Sequence, residues 1–64
     1  MEVSREQFAR MSFEDDVANG CYDVGTSFDG LTEGVLNAYL CEADYYLLLE
    51  KDRWPRSVLE RLEG

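Results

Sequence analysis

The chain contains no histidine, one proline, two cysteines, and no basic residue between Arg10 and Lys51. Without histidine, no Ser-His or Cys-His pair can activate a nucleophile, so we expect neither an enzyme nor a catalytic residue. Two cysteines without histidine do not supply the four ligands of a zinc site, so we expect no metal and no other cofactor. No apolar run reaches the roughly 20 residues that cross a membrane, and no apolar signal segment follows Met1. We therefore expect a cytoplasmic protein without a membrane partner.

The length of 64 residues predicts a single small domain, 1–64, with a marginal core. A chain of this size buries only about 60% of the surface that it exposes when unfolded. Such scaffolds usually gain stability from disulfides, a metal or a partner. Cys21 and Cys41 allow at most one disulfide, so self-association or a protein partner is the expected source of further stability.

The net charge of −8 comes from 14 acidic and 6 basic residues. A surface of this sign repels a phosphate backbone, so we expect no direct binding to nucleic acid. A basic protein surface is the expected partner, and solubility alone is the simpler explanation of the charge. Nine of the acids lie in the base-free interval 11–50: Glu14, Asp15, Asp16, Asp23, Asp29, Glu33, Glu42, Asp44 and Glu50.

Two helix-capping patterns stand near the N-terminus, SREQ beginning at Ser4 and SFED beginning at Ser12. The first is a capping box and the second a weaker version, because Asp is shorter than the preferred Glu or Gln. They predict either two short helices, 5–11 and 13–19, or one kinked helix. The expected buried face consists of Phe8, Met11, Phe13 and Val17.

The middle of the chain has four glycines in residues 20–34, which predict a loop. Thr32 is the expected N-cap of a long helix over about 33–51. Pro55 stands in the first turn of a last helix, whose apolar face holds Val58, Leu59 and Leu62. The fold class is therefore all-α, a small bundle of three or four short helices around one long central helix.

The long helix is apolar on nearly every side. At about 100° per residue, its core stripe contains Val35, Leu36, Tyr39, Leu40, Ala43, Tyr46 and Leu47. The opposite arc holds Ala38, Cys41, Tyr45, Leu48 and Leu49 among Asn37, Glu42, Asp44 and Lys51. Either short helices cover both sides, or Tyr45, Leu48 and Leu49 dock a second protein or a second copy. Trp54, in the turn that follows, joins that candidate surface because Trp and Tyr dominate interface hot spots.

The glycine-rich segment DVGTSFDGLTEG, which begins at Asp23, lacks the ligand spacing of a calcium loop and the GKS/GKT element of a phosphate loop. Its first nine residues resemble the attachment site of acyl and peptidyl carrier proteins at Asp23, Gly25 and Ser27. The resemblance implies a phosphopantetheine arm on Ser27, at the start of a helix in a small acidic helical domain. The Asp and Leu that usually flank the serine are replaced here by Thr26 and Phe28.

These observations favour a non-enzymatic acidic module that binds another protein. Its most concrete form is a small inhibitor or regulator that occludes a basic nucleic-acid-binding surface, as anti-defence proteins of phages and mobile elements do. Carboxylates would replace phosphates, and the aromatic and aliphatic patch would form the desolvated centre. The alternatives are the carrier-like domain and a structural or regulatory homodimer. The predicted partner-binding residues are Glu14, Asp15, Asp16, Glu42, Asp44, Tyr45, Leu48, Leu49 and Trp54.

Overall fold

The computed structural model describes residues 2–64, and this range contains helices and turns but no strand. The elements are α1 (Arg5–Ala18), a 3₁₀ turn (Phe28–Gly30), α2 (Glu33–Leu47), a second 3₁₀ turn (Lys51–Arg53) and α3 (Arg56–Glu63). The all-α prediction is therefore confirmed. The longest helix, α2, begins at the predicted residue and ends at Leu47 instead of near 51.

α1 begins at the capping box that the sequence predicts. The Ser4 hydroxyl accepts a hydrogen bond from the Gln7 backbone N–H at 3.1 Å, and the Gln7 side chain accepts from the Ser4 N–H at 3.0 Å. Ser12 starts no second helix, because it lies inside α1. No glycine or proline interrupts residues 5–18, so the backbone hydrogen bonds continue and the two-helix alternative is wrong. α1 ends at Ala18 with Asn19 as its C-cap, and Gly20 follows with a φ of 84°.

Aromatic side chains dominate the core between the helices. Phe8 of α1 is fully buried; it stacks on Tyr46 of α2 with ring centroids 5.4 Å apart and meets the Trp54 ring edge-on at 5.2 Å. Further along α1, Phe13 packs edge-on against Tyr39 at 5.9 Å and against Phe28 at 5.8 Å. Burying one such side chain contributes about 1.5–3 kcal/mol. The buried residues are Phe8, Ala9, Phe13, Phe28, Tyr39, Ala43, Trp54 and Val58.

α1 is the helix that contacts both of the others. α2 runs antiparallel to it, since Arg5 at the start of α1 pairs with Asp44 near the end of α2. α3 packs against α1, with Val58 buried and Leu59 and Leu62 half-buried as predicted. The side of α2 that faces away from α1 is therefore left exposed.

The predicted buried faces need small corrections. On α1, Met11 and Val17 are only half-buried, while Ala9, which the periodicity argument omitted, is fully buried. On α2, Val35 is 37% exposed, so it does not belong to the core stripe. Thr32 is at the N-cap position, but its side chain makes no capping hydrogen bond.

Candidate protein-binding surface

The outer side of α2 presents a line of exposed residues. We call Gly34, Ala38, Cys41, Tyr45 and Leu48 the outer stripe, and all five are exposed. Leu48 is the C-cap residue directly after α2 and keeps helical backbone angles, with φ −81° and ψ −15°. At about 100° per residue, the five therefore share one side of the helix. Tyr45 is 60% exposed and Leu48 is 87% exposed. The Tyr45 ring rests against the Tyr46 ring, with centroids 5.3 Å apart. Of the predicted apolar site residues, Tyr45 and Leu48 thus lie outside the core.

Leu49 is intermediate between core and surface. It is half-buried and lines an open depression together with Val3, Leu47 and Trp54. Leu49 therefore stands at the edge of the exposed patch.

Trp54 is part of the core, and its predicted place on an exposed surface is wrong. It is 8% exposed, and its indole N–H donates to the backbone carbonyl of Tyr46 at 2.7 Å. The 3₁₀ turn before it carries the chain back onto α1, where the indole meets Phe8. A sequence signal existed, because an apolar residue just before a helix N-cap often packs on that helix, and Trp54 precedes the N-cap Pro55.

Asp16, one of the predicted partner-binding acids, belongs to a hydrogen-bonded network within the chain. The Tyr39 hydroxyl donates to Asp16 Oδ2 at 2.5 Å, and the Tyr22 hydroxyl, 3.0 Å from that of Tyr39, donates to it in turn. Burial raises the pKa of Tyr39 well above its usual range, and the hydrogen bonds with Asp16 and Tyr22 raise it further. Asp16 therefore has a structural role that its position in a run of three acids did not predict.

Three other predicted acids also have partners within the chain. Arg5 binds Asp44 through two hydrogen bonds of 2.8 and 2.9 Å, and Arg61 reaches Glu14 at 3.4 Å. The Asp15 carboxylate accepts from the Asn19 side chain at 3.4 Å. The interval 11–50 is free of bases in sequence, but arginines from both ends of the chain fold back onto it. Because these ion pairs are about half-exposed, each contributes about 0–1 kcal/mol.

Glu42 borders an open groove of about 330 Å³ between the end of α1 and the start of α2. No basic residue lines this acidic groove, and its two carboxylates belong to Glu42 and Asp16. The remaining lining residues are Tyr22, Gly34, Val35, Ala38 and Tyr39. Gly34 and Ala38 also belong to the outer stripe, so the groove and the stripe form one continuous surface.

Ser27, the residue that resembles a carrier attachment site, caps the first 3₁₀ turn. Its hydroxyl accepts from the Gly30 N–H at 3.1 Å. The side chain is exposed, but the turn spans only Phe28–Gly30, and α2 begins at Glu33. Ser27 thus precedes a short turn instead of a recognition helix.

Neither cysteine pairs with the other. Cys21 and Cys41 are both free and exposed. Across residues 2–64, no group of three His, Cys, Asp or Glu side chains is arranged to hold a metal ion. In the same range, every helix is too short or too polar to cross a membrane.

Comparison of the chain with protein-family models, with curated proteins and with solved structures yields no significant match.

Proposed function

We propose that the chain is a non-enzymatic protein-binding module that engages a basic surface of another protein through the outer stripe and the adjoining acidic groove. The observation that carries this proposal is Leu48, an apolar side chain left 87% exposed beside Tyr45 on a helix whose other side is fully used by the core.

The apolar part of the surface supplies the free energy of binding. Burying Leu48 or Tyr45 against a partner contributes about 1.5–3 kcal/mol per side chain. Tyrosine is enriched in interface hot spots because it offers a large rigid area and a hydroxyl that can hydrogen-bond. The fold itself makes little use of these two side chains, since neither belongs to the buried cluster.

The charged part of the surface favours a partner whose surface carries positive charge. Four of the six basic side chains form ion pairs within the chain, namely Arg5, Arg10, Arg56 and Arg61. Because acids outnumber bases by eight, many carboxylates have no basic partner within the chain. Among residues 2–64, Glu42 is one of the acids without an ion-pair partner. Complementary charge accelerates the encounter of two proteins and selects against acidic competitors.

The specific form of the proposal is an inhibitor that occupies a basic nucleic-acid-binding surface, with carboxylates in place of phosphates. The acidic groove supports this form because it combines carboxylates with aromatic rings and has no lining base. The type of protein that this suggests is the small anti-defence inhibitor of phages and mobile elements.

Affinity capture with two matched variants tests the proposal. Wild type and Val24→Asp, which alters a fully exposed loop residue, should capture the same protein from an extract, and Leu48→Asp should not. Added duplex DNA or RNA should compete with the bait for the captured protein and release it from the bait. Capture that does not depend on Leu48 would contradict the assignment of the surface, and capture unaffected by nucleic acid would contradict the mimicry.

A further inference from the structure

The outer stripe has the spacing of a helix–helix interface. Its residues follow one another at intervals of four, three, four and three along the sequence, from Gly34 to Leu48. This is the spacing of the a and d positions at which two α-helices meet in a coiled coil. The core stripe, which contains Tyr39 and Ala43, lies on the opposite side of α2 and packs on α1. α2 thus has a second helix-binding face that nothing in the described residues covers.

The shape of the outer stripe suits a helix better than a flat surface. Its first half is small, with Gly34 and Ala38, and a Cβ added at Gly34 would meet no atom within 4 Å. Its second half, with Tyr45 and Leu48, projects large exposed side chains. The stripe extends over roughly 21 Å at 1.5 Å per residue, about the length of a four-turn helix. A partner helix can approach closely at one end and receive two large side chains at the other.

The charges beside the outer stripe identify the occupant. The flanking positions hold Val35, Glu42 and Leu49 on one side and Asn37 and Asp44 on the other, and none of these residues is basic. Arg5 already pairs with Asp44, which leaves Glu42 as the free flanking charge. A second copy would bring the same acids together on chains that each carry a charge of −8, and like charges at these positions disfavour pairing.

We infer that the outer stripe of α2 binds an amphipathic α-helix of a partner protein that carries Lys or Arg beside its apolar face. This inference rests on the proposed function and narrows the basic partner surface to one element. The partner's basic residues fall mainly on the Glu42 side, because Asp44 is neutralised by Arg5. Basic helices of this kind are also used to enter the major groove of DNA, which agrees with a nucleic-acid-binding partner.

Designed peptides test the inference without knowledge of the natural partner. The probe is a labelled helical peptide of four turns with Leu and Ala at its a and d positions and Lys beside them. One matched peptide replaces each Lys with Glu, and another replaces Leu and Ala with Ser. Fluorescence anisotropy should show binding of the Lys peptide alone. The double variant Tyr45→Ser, Leu48→Ser should weaken binding by about tenfold or more, with Val24→Ser as the unchanged control.

Single variants on the two flanks of the outer stripe show on which side the Lys residues of the peptide bind. Glu42→Gln should lower the affinity for the Lys peptide several-fold more than Asn37→Ala does, and added salt should remove that difference. Circular dichroism must show equal helicity for all variants, which is expected because these residues lie outside the buried cluster.

Three outcomes would overturn the inference: no binding of the Lys peptide to wild type, equal binding of the Lys and Glu peptides, or binding that ignores the double variant. Sedimentation of the free chain as a dimer that the double variant disrupts would assign the face to a second copy. If Leu48→Asp and the double variant both lose capture of the basic partner from an extract, but the Lys peptide does not bind the wild-type chain, the helix inference fails and the proposed function stands. If no variant affects capture, both fail.

Discussion

Trp54→Ala should greatly lower the free energy of unfolding, because Trp54, directly after the second 3₁₀ turn, contacts both α1 and α2. The substitution removes the edge contact with Phe8 and leaves the Tyr46 carbonyl without its indole donor. Truncating a buried Trp costs about 3–5 kcal/mol. A domain of 64 residues is stable by roughly 3–10 kcal/mol, at about 0.05–0.15 kcal/mol per residue. The loss is therefore a large share of the total.

The measurement is urea unfolding followed by far-UV circular dichroism, since the variant lacks the only tryptophan fluorophore. Trp54→Phe is the milder comparison: it keeps most of the apolar contact and loses the hydrogen bond, so about 1–2 kcal/mol is expected. Leu48→Ala is the surface control and should change the free energy of unfolding by less than about 0.5 kcal/mol. A Trp54→Ala variant with wild-type stability would refute the core assignment and return Trp54 to the binding surface.

Four further predictions concern the polar groups. Tyr39→Phe should cost about 1–3 kcal/mol in urea unfolding, because the Asp16 carboxylate and the Tyr22 hydroxyl lose their shared partner. Because the folded state raises the pKa of Tyr39, stability should be unaffected by this group below pH about 10 and should fall as the pH rises above it, as thermal melts would show. Arg5→Ala should cost about 1 kcal/mol or less at low salt and nothing measurable at high salt. Incubation of the chain with a phosphopantetheinyl transferase and coenzyme A should leave its mass unchanged.

Each of these has a clear contrary result. A Tyr39→Phe variant as stable as wild type would show that the hydroxyl network has no net stabilising effect. A melting temperature that holds through alkaline pH would contradict the raised pKa. A loss of several kcal/mol in Arg5→Ala would mean that the pair with Asp44 is far better shielded than its half-exposed side chains indicate. A mass gain that disappears in Ser27→Ala would establish the carrier reading.

The starts of the three helices were predictable to within a residue, and for α1 the reason is local, since the Ser4 capping box depends only on Ser4 and Gln7. α2 starts after Thr32 as predicted, although the Thr32 side chain makes no capping hydrogen bond, and Pro55 precedes α3. The second capping pattern, at Ser12, predicted a helix start that the structure does not have. The end of α2 was not predictable from the sequence, because residues 48–51 contain no glycine or proline to stop a helix. The helix ends at Leu47 because the chain must turn there for Trp54 to reach Phe8, and that contact is tertiary.

Which acids of the site are paired was also not predictable from the sequence, because their partners are distant residues that only the tertiary fold brings close. Asp44 finds its partner 39 residues away in Arg5, and Glu14 finds its partner 47 residues away in Arg61. A count of charges along the sequence treats all acids of the interval 11–50 as equally free. Only the antiparallel pairing of α1 with α2 and the docking of α3 on α1 decide which of them keep an unpaired charge.

Helix geometry places Tyr45 and Leu48 on the side of α2 opposite the core stripe, but the sequence left open whether short helices cover that side. One side of α2 forms the core contacts, through Leu36, Tyr39, Leu40, Ala43, Tyr46 and Leu47. Tyr45 and Leu48 lie on the other side, where Tyr45 rests against the Tyr46 ring and both side chains stay exposed. The third helix, α3, packs on α1 and leaves this side of α2 uncovered within the described residues. Replacing Leu48 by a polar residue would cost the fold almost nothing, so stability gives no reason for leucine there. Its place in a stripe with helix–helix spacing is what supports the proposal that this side of α2 binds another protein.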